Sequence, residues 1–199
     1  MARLLALAVL GLFPLIPTPA GHASQATPAP VLDALDRIAR LDAFTAFDWI
    51  SARYDRGTIT LTGFASRPAL VEQALAAARA TRGVDEAVSE IELLPGVQSD
   101  DALRIRAYAA IYGHPGLERY APGGGLSGFD IRELERAWTT GLDGSQQFQG
   151  AHPIHIIVSG ASIQLLGAVG STGDRQLAEV QVRTLPGVLN VVNRLEVRR

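Results

Sequence analysis

The chain has 199 residues with 47% apolar side chains, enough for one ordinary domain or for two small ones that each bury a modest core. It contains no cysteine, which excludes disulfides, thiolate zinc sites, cysteine nucleophiles and a lipid-modified N-terminal cysteine. Its formal charge is −2, and neither half has the basic excess of a general nucleic-acid binder: residues 24–97 carry 7 Arg against 10 Asp and Glu, and residues 98–199 carry 10 against 10.

The N-terminus reads Met1-Ala2-Arg3, then an apolar run from Leu4 to Ile16, then the small residues Gly21-His22-Ala23-Ser24. That is the pattern of a secretory signal peptide over residues 1–23, cut after Ala23. An uncleaved anchor is the alternative, but the run contains Pro14 and falls short of the roughly 20 residues a spanning helix needs. No later segment is long and apolar enough to span.

Beyond a linker at 24–30, Val31, Leu32, Leu35, Ile38 and Ala39 form one stripe of an amphipathic helix. Phe47 to Tyr54 and the alternating Ile59 and Leu61 predict a hairpin closed by Asp55-Arg56-Gly57. Ser66-Arg67-Pro68 opens a second helix, with Ser66 as its cap, that stops at Gly83, and Glu86 to Leu93 predicts a third strand. Pro95 to Gln98 reads as a linker.

The same pattern returns at an offset of 104 residues. Thr58 to Gly63 lies over Ser162 to Gly167, Gly83-Val84 over Gly187-Val188, and Ile91-Glu92-Leu93 over Leu195-Glu196-Val197. A helix carrying Leu103, Ala107, Ala110 and Ile111, a strand at Ile154 to Val158, a helix from about Gly173 to Leu185 and a strand at Asn190 to Val197 complete the second copy. The predicted fold class is α+β: two tandem α-β-β-α-β domains, each a small mixed three-stranded sheet with two helices on one face and its own interior. The domains fall at 31–95 and 100–199, joined by a linker at 96–99.

The spacing Ile59-x-Leu61-x-Gly63, then Gly83-Val84-x-x-Ala87-Val88, repeated as Ile163-x-Leu165-x-Gly167 and Gly187-Val188-x-x-Val191-Val192, resembles the BON domain, named for bacterial OsmY and nodulation proteins. The resemblance implies a periplasmic or secreted envelope protein without catalysis or cofactor. It also implies a role in envelope integrity or osmotic stress, through attachment to phospholipid surfaces or to another envelope protein. Gly63, Gly83, Gly167 and Gly187 read physically as turn or close-approach positions.

The second copy departs from the first by an insert at about 113–152, with Gly123 to Gly128, a helix bearing Ile131, Leu134 and Trp138, and Gly141 to Gly144. A connection this long inside a compact domain is usually functional or mobile. Ile105, Tyr108 and Tyr112 make a second stripe on the preceding helix, flanked by Arg104 and Arg106. Together with Trp138 they are the candidate contacts for lipid headgroups or a protein partner. The competing expectation is that this stripe packs beneath the insert, with Trp138 as its neighbour.

Other candidates are weaker. Gly125-Leu126-Ser127-Gly128 matches an RNA-clamping G-x-x-G loop but lacks basic flanks. His152 and His155 have no third ligand spaced to join them, His114 reads as a helix exit, and Asp100 and Asp101 suit a helix start. No Ser-His-Asp order, paired carboxylate or phosphate-cradling loop is identifiable, so the expectation is a non-enzyme without cofactor, metal or nucleic-acid partner.

Overall fold

The computed structural model describes residues 27–121, 131–140 and 148–198. The signal peptide expected over residues 1–23 and the glycine stretches at 123–128 and 141–144 lie outside the described residues. The first unit is α1 (Ala29–Ala39), β1 (Trp49–Asp55), β2 (Thr58–Ala65), α2 (Pro68–Arg79) and β3 (Glu86–Leu93). The second is α3 (Gln98–Tyr112), a short 3-10 turn (Glu118–Tyr120), α4 (Ile131–Thr140), β4 (Ile154–Ser159), β5 (Ser162–Val169), α5 (Thr172–Arg183), β6 (Asn190–Asn193) and β7 (Glu196–Val197).

Each unit is a mixed sheet. β1 and β2 pair antiparallel, β2 and β3 parallel, and the second unit repeats this with β4, β5 and β6. The parallel neighbour needs a crossover, which α2 and α5 supply. Register follows the repeat: Ile50 lies opposite Gly63 and Ile154 opposite Gly167, while Ile59 pairs with Ala87 and Ile163 with Val191.

Two of the shared glycines, Gly63 and Gly167, sit where the backbone leaves no room for a side chain. Gly63 (φ +122°) and Gly167 (φ +115°) turn their α-hydrogen toward the neighbouring strand, where an added Cβ would lie 2.0 Å from the Trp49 carbonyl oxygen and 2.2 Å from that of Pro153. Gly187 (φ +88°) also needs the left-handed region but faces open space.

Several local expectations need correction. Ser66 does not cap α2; Arg67 holds the cap position without a side-chain bond, and the Ser66 amide instead donates to Asp48. In α5 the equivalent cap is made, by Ser171 accepting from the Asp174 amide. Leu32 is exposed on α1 rather than part of its buried stripe. The last strand of the second unit breaks after Asn193, because the Asn193 side chain turns to bond the Leu195 amide and the Arg175 carbonyl.

The expectation of two separate interiors is the largest correction. The first core holds Ile38, Ile59, Leu61, Leu70, Ala74 and Ala78, and the second holds Leu103, Ile111, Ile156, Ile163, Leu165, Ala178 and Val182. Yet Ala46 and Phe47, which precede β1, are buried in the second core. A third small cluster, Leu94, Ile157 and Leu166 with Trp49 and Phe64, joins the outer faces of the two sheets. Residues 44–46 run along the free edge of β4: Thr45 bridges Gln149, Gly150 donates to the Phe44 carbonyl, and Ile156 donates to that of Ala46. The units are therefore packed as one body.

The glycine geometry yields a graded prediction. Gly63→Ala and Gly167→Ala each lower stability by about 2 kcal/mol or more, since left-handed strain and a backbone clash add together. Gly187→Ala costs only about 1 kcal/mol, from strain alone. Urea denaturation of the three variants checks the order.

Candidate interaction surface

The residues expected to face lipid or a partner are brought together, but inward. Arg104, Ile105, Tyr108 and Tyr112 are each at most 1% exposed and Trp138 is 7% exposed. The physical reason is that α3 is enclosed on both sides. Leu103, Ala107 and Ile111 pack toward the second sheet, while the aromatic stripe is covered by α4, Phe148 and the intruding Phe47. This arrangement is the competing expectation, in which the stripe lies beneath the insert beside Trp138.

Phe47 is the centre of that box. Its ring lies 4.8 Å from Trp138, 5.3 Å from Phe148 and 5.9 Å from Tyr108, edge-on to the first and third. Edge-to-face and tilted contacts at this spacing are favourable beyond the area they bury. From the first unit, Arg67 places its guanidinium 4.1 Å from the centre of the Trp138 ring.

The buried polar tips on α3 find partners, although Arg104 Nε is left without one. Tyr112 donates to the Ile154 carbonyl at 2.5 Å and accepts from the Ile154 amide at 3.2 Å, fixing α3 to β4. Burial raises the phenol pKa of Tyr108 and of Tyr112, for Tyr112 well above the ordinary value. Arg104 pairs with Asp101 and donates to the Val158 carbonyl at 2.9 Å; Asp101 also accepts from the Trp138 indole at 3.0 Å, tying α3 to α4. Asp100 accepts from the amides of Gly160 and Ala161 and holds the β4–β5 turn, a role beyond helix-dipole compensation.

The seam between the units carries a second polar cluster, which the sequence reading missed. His155 on β4 is wedged between Phe44, 5.5 Å away, and Trp49, 5.2 Å away, with His152 at 6.5 Å. Desolvation and the neighbouring His152 pull the His155 pKa down to about 4, against the opposing pull of the Asp48, Thr45 and His152 backbone. Asp48 is fully buried and accepts from Thr45 and from the Ser66 amide, and its carboxyl pKa is raised by desolvation.

Two clefts stand open among the described residues. One of about 580 Å³ lies between α3 and α4, lined by Gln98, Asp101, Ile105, Arg132, Arg136 and Trp138. The other, about 500 Å³, lies at the junction of the units, where Trp49, His152 and Leu166 meet Arg194, Glu196 and Arg198. Among the described residues no cluster of three or more His, Cys, Asp or Glu is placed to hold a metal, and no helix is long and apolar enough to cross a membrane.

A duplicated α+β unit with a packed seam defines the class: a protein of two repeated α+β domains. The BON domain profile matches residues 37–95 and 134–199, and the chain belongs to the BON domain family. Membership points to a non-catalytic role associated with the envelope or a membrane. No curated protein matches the chain. Among solved structures it is similar to the C-terminal domain of CdsD, a structural protein of the type III secretion system of Chlamydia trachomatis. That likeness has 10% identity and a TM-score of 0.26, covering 87% of this chain and 100% of that one. A second CdsD structure gives the same identity and TM-score over 84% and 91%. Likenesses this loose carry no functional weight.

Two predictions follow from the seam. Phe47→Ala removes the shared ring and destabilises the protein by about 3–5 kcal/mol, with loss of a single cooperative unfolding transition as the units uncouple; calorimetry reads both. Unfolded His155 titrates near 6.5 and folded His155 near 4. Between those values only the unfolded chain binds the proton, so its contribution is complete above pH 6.5 and lost as pH falls toward 4. Asp48, with a raised pKa, works in the opposite sense: its burial costs most when ionised. The wild-type stability minus that of His155→Gln therefore falls on the order of 3 kcal/mol from pH 7 to pH 4, measured by urea titration.

Proposed function

We propose that this chain is exported, loses residues 1–23, and acts in the periplasm as a non-catalytic structural module that binds another envelope protein. The observation that carries this reading is the burial of Ile105, Tyr108, Tyr112 and Trp138 in the seam, which removes the aromatic stripe that would have rested in a headgroup layer. The second half of the chain is electrically balanced, which gives anionic lipid little to attract. The rigid pairing of two units suits a spacer or adaptor, and loss of such a part weakens envelope integrity under osmotic stress.

A second reading, attachment to phospholipid headgroups, is favoured by the junctional cleft. There Arg194, whose side chain has no partner among the described residues, and Arg198 stand beside Trp49. Co-sedimentation separates the two. The mature protein stays in the supernatant with vesicles of any phosphatidylglycerol content; pelleting that Arg194→Ala weakens would transfer the function to lipid.

A further inference from the structure

Among the described residues, three sheet edges have no strand neighbour on one side: those of β1 and β3 in the first unit and that of β6 with β7 in the second. The opposite edge of the second sheet is covered by residues 44–46. The edge of β3 and its counterpart in the second unit differ. β3 runs in unbroken parallel register along β2, from Glu86 beside Thr58 to Leu93 beside Ala65, whereas its counterpart is interrupted at Arg194 and Leu195. An unbroken free edge offers a row of backbone donors and acceptors to an incoming strand.

The side chains on that edge select the incoming strand. Glu86, Val88, Glu90 and Glu92 alternate onto the outer face of β3, and all four are exposed. Glu90 shares its charge with Arg53 at 3.1 Å, while Glu86 and Glu92 have no ion-pair partner among the described residues. A second copy pairing antiparallel would set this acidic row against itself, and like charges directly opposite are unfavourable. An extended segment with Lys or Arg at alternate positions meets opposite charge at each of them. Residues 24–97, with 7 Arg against 10 acidic groups, add attraction at longer range.

We propose that the free edge of β3 is a strand-addition site for an extended basic segment of a partner protein, whose alternate cationic side chains meet Glu86, Glu90 and Glu92 and whose apolar side chain covers Val88. This rests on the protein-partner reading above and gives that partner its chemistry. Strand addition combines main-chain bonds for affinity with alternate side chains for specificity.

The probe is a synthetic peptide of about nine residues, alternating lysine with threonine around one central valine, long enough to line the strand. It is titrated against the leaderless chain by fluorescence anisotropy, with amide hydrogen exchange as the structural readout. Binding is expected to slow exchange at alternate β3 amides and to weaken about tenfold between roughly 0.05 and 0.5 M salt. Glu86→Lys with Glu92→Lys, at exposed positions that leave the thermal midpoint unchanged, weakens binding about tenfold or more, and prolines at the pairing positions of the peptide abolish it.

Equal binding of the proline peptide, equal binding by the double variant, or no protection along β3 would each overturn the proposal. Photo-crosslinkers at Val88, Val180 and Leu189 in the periplasm separate the two failures. A protein trapped only at Val180 or Leu189 removes the strand site and leaves the protein-partner reading. No trapped protein, together with vesicle pelleting, removes both.

Discussion

The insertion of Phe47 into the second unit is the interaction on which the rest of the architecture depends. Without it, Tyr108, Phe148 and Trp138 would line a void at the top of α3, because the neighbouring strands and helices cannot close over rings of that size. With it, the short segment before β1 is pulled onto the edge of β4, where residues 44–46 make three backbone hydrogen bonds to the second unit. The long insert then has a structural explanation: α4 and Phe148 roof a box whose contents come from both copies.

Duplication supplied the scaffold and divergence supplied the joint. The register of the two sheets, the glycines at 63 and 167 and the inward positions Ala74 and Ala78 against Ala178 and Val182 are equivalent between copies. The positions that make the joint are not. The sites equivalent to Phe47, Asp48 and Trp49 are Ala151, His152 and Pro153. Copy one therefore contributes two rings and a buried carboxylate where copy two contributes an imidazole and a rigid turn, so the two surfaces are complementary rather than alike.

Much of the fold was legible in the sequence, because the signals were local and repeated: period-two alternation in the strands, glycine at equal spacing, and alanine on the inward faces of α2 and α5. The joint was not, because it is made by contacts far apart in sequence. Tyr108 and Tyr112 lie on a helix whose other face is already apolar, and the sequence cannot say whether the second stripe meets water or a roof. The one available cue was compositional. Phe44 is matched by Phe148 at the offset of 104, but Phe47 and Trp49 stand where the second copy has Ala151 and Pro153, and an unmatched aromatic in a repeat is a place to look for a contact between repeats.

The polar groups at the joint make it directional. The His155 ring sits between Phe44 and Trp49, the Arg67 guanidinium lies over Trp138, and residues 44–46 bond the backbone of the second unit, contacts that exist only when the two units are in one register. A purely apolar joint would tolerate sliding; here sliding would break the backbone bonds that Phe44 and Ala46 make to Phe148, Gly150 and Ile156 and leave buried amides and carbonyls unpaired, a larger penalty than the loss of a few ring contacts. Such groups raise the cost of every other arrangement more than they lower the free energy of this one. The two copies thereby behave as a single rigid body, and their outer strands, unlike their inner ones, stay free to meet something else.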